Sequence, residues 1–130
     1  MNCSAPSTKD STQTVYDAVA QGMMEYDVHI LGNHEFDFGT NFLKRFIEGV
    51  TAQSGKSSHK FISGNMDFSK NADLAALATA GTLGTSYTHT DPVTGEVFGV
   101  VSAMYPDLPT VSSPGTAEVT TRNIADTAVV

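Results

Sequence analysis

Cysteine, basic residues and long apolar runs are all scarce in these 130 residues, and each scarcity narrows the field. The single Cys3 cannot close an internal disulfide and so says nothing firm about redox compartment. Lys and Arg together number 7 against 14 Asp and Glu, for a net charge of -7. That balance argues against a nucleic-acid polymer as partner, because backbone phosphates are held by clustered cations. No window approaches the roughly 20 apolar residues a membrane span needs. The opening Met1-Asn2-Cys3-Ser4-Ala5-Pro6 has neither the basic region nor the apolar core of a signal peptide. There is no repeat of solenoid period, and Gly81-Thr82-Leu83-Gly84 lacks the lysine and spacing of a phosphate-binding loop. What remains, 40% hydrophobic and 16% charged, is the composition of an ordinary globular protein. The length allows one domain at most and is short for a two-layered α/β enzyme.

One stretch organises the rest. Val28, Ile30 and Leu31 form a short apolar, β-prone run, stopped by Gly32 and followed by the polar cluster Asn33-His34-Glu35-Phe36-Asp37. The carboxyl end of a strand is where ligands bind in an open α/β sheet. Asn33, His34 and Asp37 supply a neutral oxygen donor, an imidazole and a carboxylate there, the residue types that hold a hard metal and handle a proton beside it. Thr40 or Asn41 can then cap a following helix.

Along the chain, residues 1–10 are polar and Ser-rich, as in a disordered or linker arm, leaving 11–130 as the domain. Val15, Ala18, Val19, Gly22, Met23 and Tyr26 recur at helical spacing over about Thr12 to Glu25, with Ser11 or Thr12 as cap. Phe42, Leu43, Phe46, Ile47 and Val50 mark the buried face of a second helix ending near Ala52. Lys60 to Ser63 reads as a second strand running into Gly64-Asn65, and two strands separated by a helix imply a βαβ crossover with parallel pairing. Asn71 to Ala80 reads as a helix closed by Gly81. Thr85–Thr90 faces Glu96–Val101 across a turn, an antiparallel hairpin. Residues 106–118 read as a loop, and 119–130 as a strand or frayed end.

Gly-Asn-His-Glu-Phe-Asp, preceded by an apolar strand and Tyr26-Asp27, resembles the motif of the calcineurin-like metallophosphoesterases, specifically their 5′-nucleotidase branch. Weaker similarity runs through Ser63-Gly64-Asn65-Met66-Asp67-Phe68-Ser69, and from Phe98-Gly99-Val100-Val101 to Pro106–Gly115. The resemblance implies an α/β chain forming part of a metallophosphatase-type α/β/β/α sandwich. It implies a metal-dependent phosphomonoester hydrolase acting on a nucleotide or other small phosphate ester, with two divalent ions (Zn, Mn, Co or similar) and a periplasmic or extracellular location. Asn33 is then a metal ligand through its side-chain oxygen. His34 stabilises or protonates the phosphoryl oxygens or leaving group, and Asp37 orients His34.

The other candidates are expected to be structural. Glu35 reads as a supporting or helix-start carboxylate. Asn65 either reaches the same rim or serves a strained strand exit. His29 sits inside a strand, while His59 and His89 lack partners at metal-ligand spacing. Phe36, Phe38, Phe42 and Phe46 read as core.

The chain has no Asp-x-His near its start, Asp27-Val28-His29 lying within the strand run that leads into the motif, and it has no Gly-Asp and no Gly-His-x-His, all of which such a two-metal enzyme needs. It is therefore expected to be an internal fragment of a longer enzyme or a degenerate relative, inactive in isolation. The alternative is a non-catalytic binding or interaction module that keeps the fold without the metal site. With part of the sandwich missing, the runs Val28–Leu31 and Val97–Val101 are expected to leave apolar surface bare, favouring self-association.

Overall fold

The apolar stripe at residues 42–50 is the foundation of the fold. The computed structural model describes residues 14–56, 59–115 and 119–127, so the expected arm and the cap at Ser11 or Thr12 lie outside the described residues. The first elements are α1 (Tyr16–Met23), β1 (Val28–Ile30), a 3-10 turn (Asn33–Phe36), α2 (Gly39–Gln53) and β2 (Lys60–Ile62). Phe42, Leu43, Phe46, Ile47 and Val50 are all buried, as their spacing requires. Each such side chain gains about 2 kcal/mol by leaving water, so the stripe fixes α2 in the core.

Against α2 lies α1, through small residues. Ala18 and Gly22 are its buried positions, and a Cβ on Gly22 would sit 2.8 Å from the Val50 carbonyl oxygen. That close approach corrects the expected α1 face: Met23 and Tyr26 are exposed, because Met23 is one step round from the Gly22 line and Tyr26 lies beyond the helix end. A second correction falls at the start of α2. It begins at Gly39, which has φ of 79°, and follows Phe38 without a side-chain cap. Thr40 is buried instead and accepts a hydrogen bond from Asn71 Nδ2 at 3.2 Å. Phe38 is exposed, meeting Phe42 edge to face rather than entering the core.

The βαβ unit is present: β1 and β2 are parallel, with Val28 opposite Lys60, His29 opposite Phe61 and Ile30 opposite Ile62. β3 (Met66–Asp67) follows, then α3 (Ala72–Thr79), whose first turn is capped by Asn71 Oδ1 accepting from the Leu74 amide at 3.0 Å. The chain next forms β4 (Leu83–Gly84), parallel to β2, so the sheet order is β1-β2-β4. Nothing in the residues around Gly81 and Gly84 announces that third strand, since two residues are too few to show alternation.

β5 (Ser86–Thr90) and β6 (Val97–Val101) make the expected antiparallel hairpin. Asp91 Oδ1 shapes its turn, accepting from the amides of Val93 and Thr94 at 2.7 and 2.8 Å. The expected loop at 106–118 contains a one-turn helix, α4 (Leu108–Val111), because Pro109 falls in the first turn where its missing N–H costs nothing. The chain closes with β7 (Thr120–Thr121), antiparallel to β3, and α5 (Ile124–Thr127).

One core cluster joins Leu31, Phe36, Phe61 and Leu83 to Met104 and Leu108. The hairpin contributes none of its large apolar side chains to that cluster. Val97, Phe98 and Val101 stay exposed, as does Ile30 on β1.

Candidate active site

The loop from Gly32 to Asp37 is held from below by apolar anchors. Leu31 is buried, its amide donating to the Ile62 carbonyl at 3.0 Å, and Phe36 is fully buried at the far end of the 3-10 turn. Between them, Glu35 Oε2 accepts the Gly32 amide at 2.7 Å and closes the loop on itself. Glu35 is thus the supporting carboxylate its position suggested. With both ends pinned, the turn lifts His34 into solvent, its side chain 80% exposed.

His34 Nδ1 lies 2.8 Å from Asp37 Oδ2. The two residues come together because the 3-10 turn places positions three apart on one side. The Asp37 carboxylate, through its hydrogen bond and its charge, raises the His34 pKa above the ordinary imidazole value. Hydrogen bonds from His34 and from Ser112 in turn lower that of Asp37. An ionised Asp37 selects the neutral tautomer with the proton on Nδ1, leaving Nε2 as the nitrogen that exchanges a proton with a ligand. Asn33, half-buried, occupies the first position of the same turn.

Ser112 is the site residue that sequence reasoning misses. Its Oγ donates to Asp37 Oδ1 at 2.8 Å from 75 positions away. No local pattern signals such a contact, since Ser112 reads as one more serine in a Pro-rich loop.

Asn65 does not join this rim. It is fully buried, its Oδ1 accepting from the Met104 amide at 2.6 Å and its Nδ2 donating to the carbonyls of Met104 and Arg122 at 2.8 and 3.2 Å. Of its two expected roles the structural one applies, as a staple rather than through strain: among the described residues the only non-glycine with positive φ is Glu25. His29 stacks on Phe61 at 4.8 Å between ring centres and meets His59 at 4.7 Å. Burial lowers the pKa of both, that of His29 to about 4.

The donor set present does not fit two metals. Among the described residues no three His, Cys, Asp or Glu side chains come together as a metal-holding group. Asn33 offers one neutral oxygen, too little to hold two divalent ions.

Neither a protein-family model nor a curated protein matches the chain. Solved structures do. The 5′-nucleotidase precursor from Thermus thermophilus is 28% identical with a TM-score of 0.66, covering 86% of this chain and 19% of that one. The NAD nucleotidase of Haemophilus influenzae is 23% identical with a TM-score of 0.61, covering 85% of this chain and 20% of that one. The calcineurin-like phosphoesterase YfkN from Bacillus subtilis is 17% identical with a TM-score of 0.54, covering 91% and 33%. The last two likenesses show the fold alone, and the chain spans only a fifth to a third of the length of these three structures. The parallel strands, the antiparallel hairpin and the loop at Gly32–Asp37 together form a portion of the fold seen in calcineurin-like phosphoesterases, similar to the corresponding portion of the Thermus 5′-nucleotidase precursor.

Proposed function

We propose that the chain supplies the proton-handling corner of a metal-dependent phosphomonoester hydrolase resembling 5′-nucleotidases, acting on a nucleotide or other small phosphate ester. The observation that carries this reading is the His34–Asp37 pair, 2.8 Å apart on an exposed turn at the end of a parallel strand. When the P–O ester bond breaks, negative charge grows on the leaving oxygen. A protonated His34 neutralises that charge by donating from Nε2, and Asp37 stabilises the imidazolium through Nδ1. Positioned proton transfer of this kind contributes roughly 10²–10⁴-fold in rate. The raised His34 pKa keeps more of the acid form available near neutrality.

Asn33 is the one metal ligand this reading assigns here, and the remaining donors would have to come from outside the chain. A location outside the cytoplasm belongs to the same reading, supported by the precursor status of the Thermus protein. Among the described residues no helix is long and apolar enough to cross a membrane.

The incomplete donor set favours a second reading, a non-catalytic module that keeps the fold. A graft separates the two: residues 14–127 replace the matched fifth of the Thermus 5′-nucleotidase, and AMP hydrolysis is measured with Mn²⁺, Co²⁺ or Zn²⁺. The first reading expects turnover by the graft, its loss on His34→Ala, and none from the 130-residue chain alone. A folded graft that is inactive, or one indifferent to His34→Ala, would favour the module.

A further inference from the structure

We propose that Ser112 is a positioning residue for the His34–Asp37 pair, holding the Asp37 carboxylate so that His34 keeps its proton on Nδ1 and offers Nε2 to the ester. This inference rests on the proposed function, which assigns chemistry to His34.

The pair by itself is poorly protected. His34 and Asp37 side chains are 80% and 37% exposed, so water competes for both partners and the carboxylate is free to rotate about its own bonds. Ser112 removes that freedom. It occupies Oδ1 at 2.8 Å while His34 occupies Oδ2 at 2.8 Å, so the two contacts fix the plane of the carboxylate from opposite ends.

The hydroxyl is itself delivered from an anchored turn. The Ser112 amide donates to the Leu108 carbonyl at 3.0 Å, Thr110 bonds back to the Asp107 carbonyl, and Leu108 and Pro114 on either side are buried. Ser112 is not a nucleophile in this arrangement. Its proton goes to a carboxylate rather than an imidazole, so the order is Ser–Asp–His, without the adjacent base that activates a serine.

The test is the ring ¹⁵N spectrum of His34 in the whole 130-residue chain, recorded where the imidazole is neutral, so that it reads the tautomer. In the parent chain the Nδ1–H form should dominate. Ser112→Ala should lose that dominance and drift toward Nε2–H, with the amide spectrum otherwise retained. Ser112→Thr should keep the parent tautomer, since φ of -156° and ψ of -177° at this position suit a β-branched residue. Should Ser112→Ala disturb the fold, the near-isosteric S112T and S112V answer the same question, because they differ only in a hydroxyl against a methyl.

A Ser112→Ala or Ser112→Val chain with the parent tautomer overturns the proposal, and so does a Ser112→Thr chain that behaves like alanine. Asp37→Asn separates the two levels. If it shifts the tautomer and Ser112→Ala does not, only the role of Ser112 falls. If Asp37→Asn also leaves the tautomer unmoved, the His34–Asp37 pairing fails and takes the role of Ser112 with it.

Discussion

Two strands of this protein end in the same Gly-Asn pair, and the fold treats the two exits in opposite ways. At Gly32-Asn33 the chain makes a turn that closes on its own Glu35 and raises His34 into water. At Gly64-Asn65 the chain is roofed over: the Gly64 amide donates to the Ser102 carbonyl at 3.0 Å, and Asn65 ties together Met104 and Arg122. The same dipeptide therefore becomes an open loop or a structural staple according to what later segment folds across it. Residues 102–104 and 122 cross the second exit, whereas Ser112 reaches across to Asp37 at the first.

The largest expected effect lies at the staple. Asn65→Ala strips buried Met104 of both its side-chain partners, and leaving such groups unsatisfied should cost about 3 kcal/mol in urea unfolding. A loss below about 1 kcal/mol would mean that the second exit is not held by Asn65.

Glycine substitutions sharpen the comparison. A Cβ on Gly64 would collide with the Ser102 backbone carbonyl, which cannot swing away, whereas one on Gly32 would meet only the Glu35 carboxylate at 3.0 Å. Gly64→Ala should cost about 2 kcal/mol and Gly32→Ala less than about 1 kcal/mol, read as a difference in unfolding midpoint. Equal losses would erase the distinction between the exits.

Much of the framework was legible because it is written locally. The α2 stripe repeats every turn, Gly81 closes the helix that runs up to Ala80, and Asp91 to Gly95 spell a hairpin turn. What escaped is non-local or very short. β3, β4 and β7 have two residues each, too few for a pattern. Helical spacing puts Gly22 and Met23 on one expected face of α1, and spacing alone does not reveal that Gly22 packs on α2 while Met23 stays exposed. At the site, His34 and Asp37 lie three apart and could be paired by eye, while the Ser112 and Asn65 contacts depend on segments tens of residues away that only the tertiary structure brings together.

A pH effect belongs to the structural side of the molecule. His29 Nε2 is buried without a hydrogen-bond partner among the described residues, and His59 is buried beside it, in a cluster with Tyr26 and Phe61 and with Asp27, Lys56 and His89 as the neighbouring charges. Burial lowers the His29 pKa from 6.5 to about 4, with the neighbouring His59 acting in the same direction. The unfolded chain therefore binds the proton first on acidification. Stability is full above pH 6.5 and is lost as pH falls toward 4, by about 2 kcal/mol after allowance for partial exposure. Unfolding at pH 7 and pH 4.5 checks this, and His29→Phe should flatten the slope. An unchanged slope would assign the acid sensitivity elsewhere.

The smallest expected effect concerns the hairpin. Val97 and Val101 are 65% and 68% exposed on a strand with an open edge, so we propose weak self-association through β6. Sedimentation across a concentration series should show it, and Val97→Lys with Val101→Lys should abolish it. A strict monomer at all concentrations would show that this face stays unpartnered.

The contrast between the exits is tested most directly in the Thermus graft, by measuring AMP turnover per folded molecule and the melting temperature for His34→Ala and Asn65→Ala side by side. His34→Ala should lose at least about 10²-fold in turnover with stability changed by less than about 0.5 kcal/mol. Asn65→Ala should lower the melting temperature while leaving the turnover of the surviving folded molecules near the parent value. If the two variants lose stability and turnover in parallel, or if Asn65→Ala alone removes turnover from folded molecules, the division into a chemical exit and a structural exit is wrong.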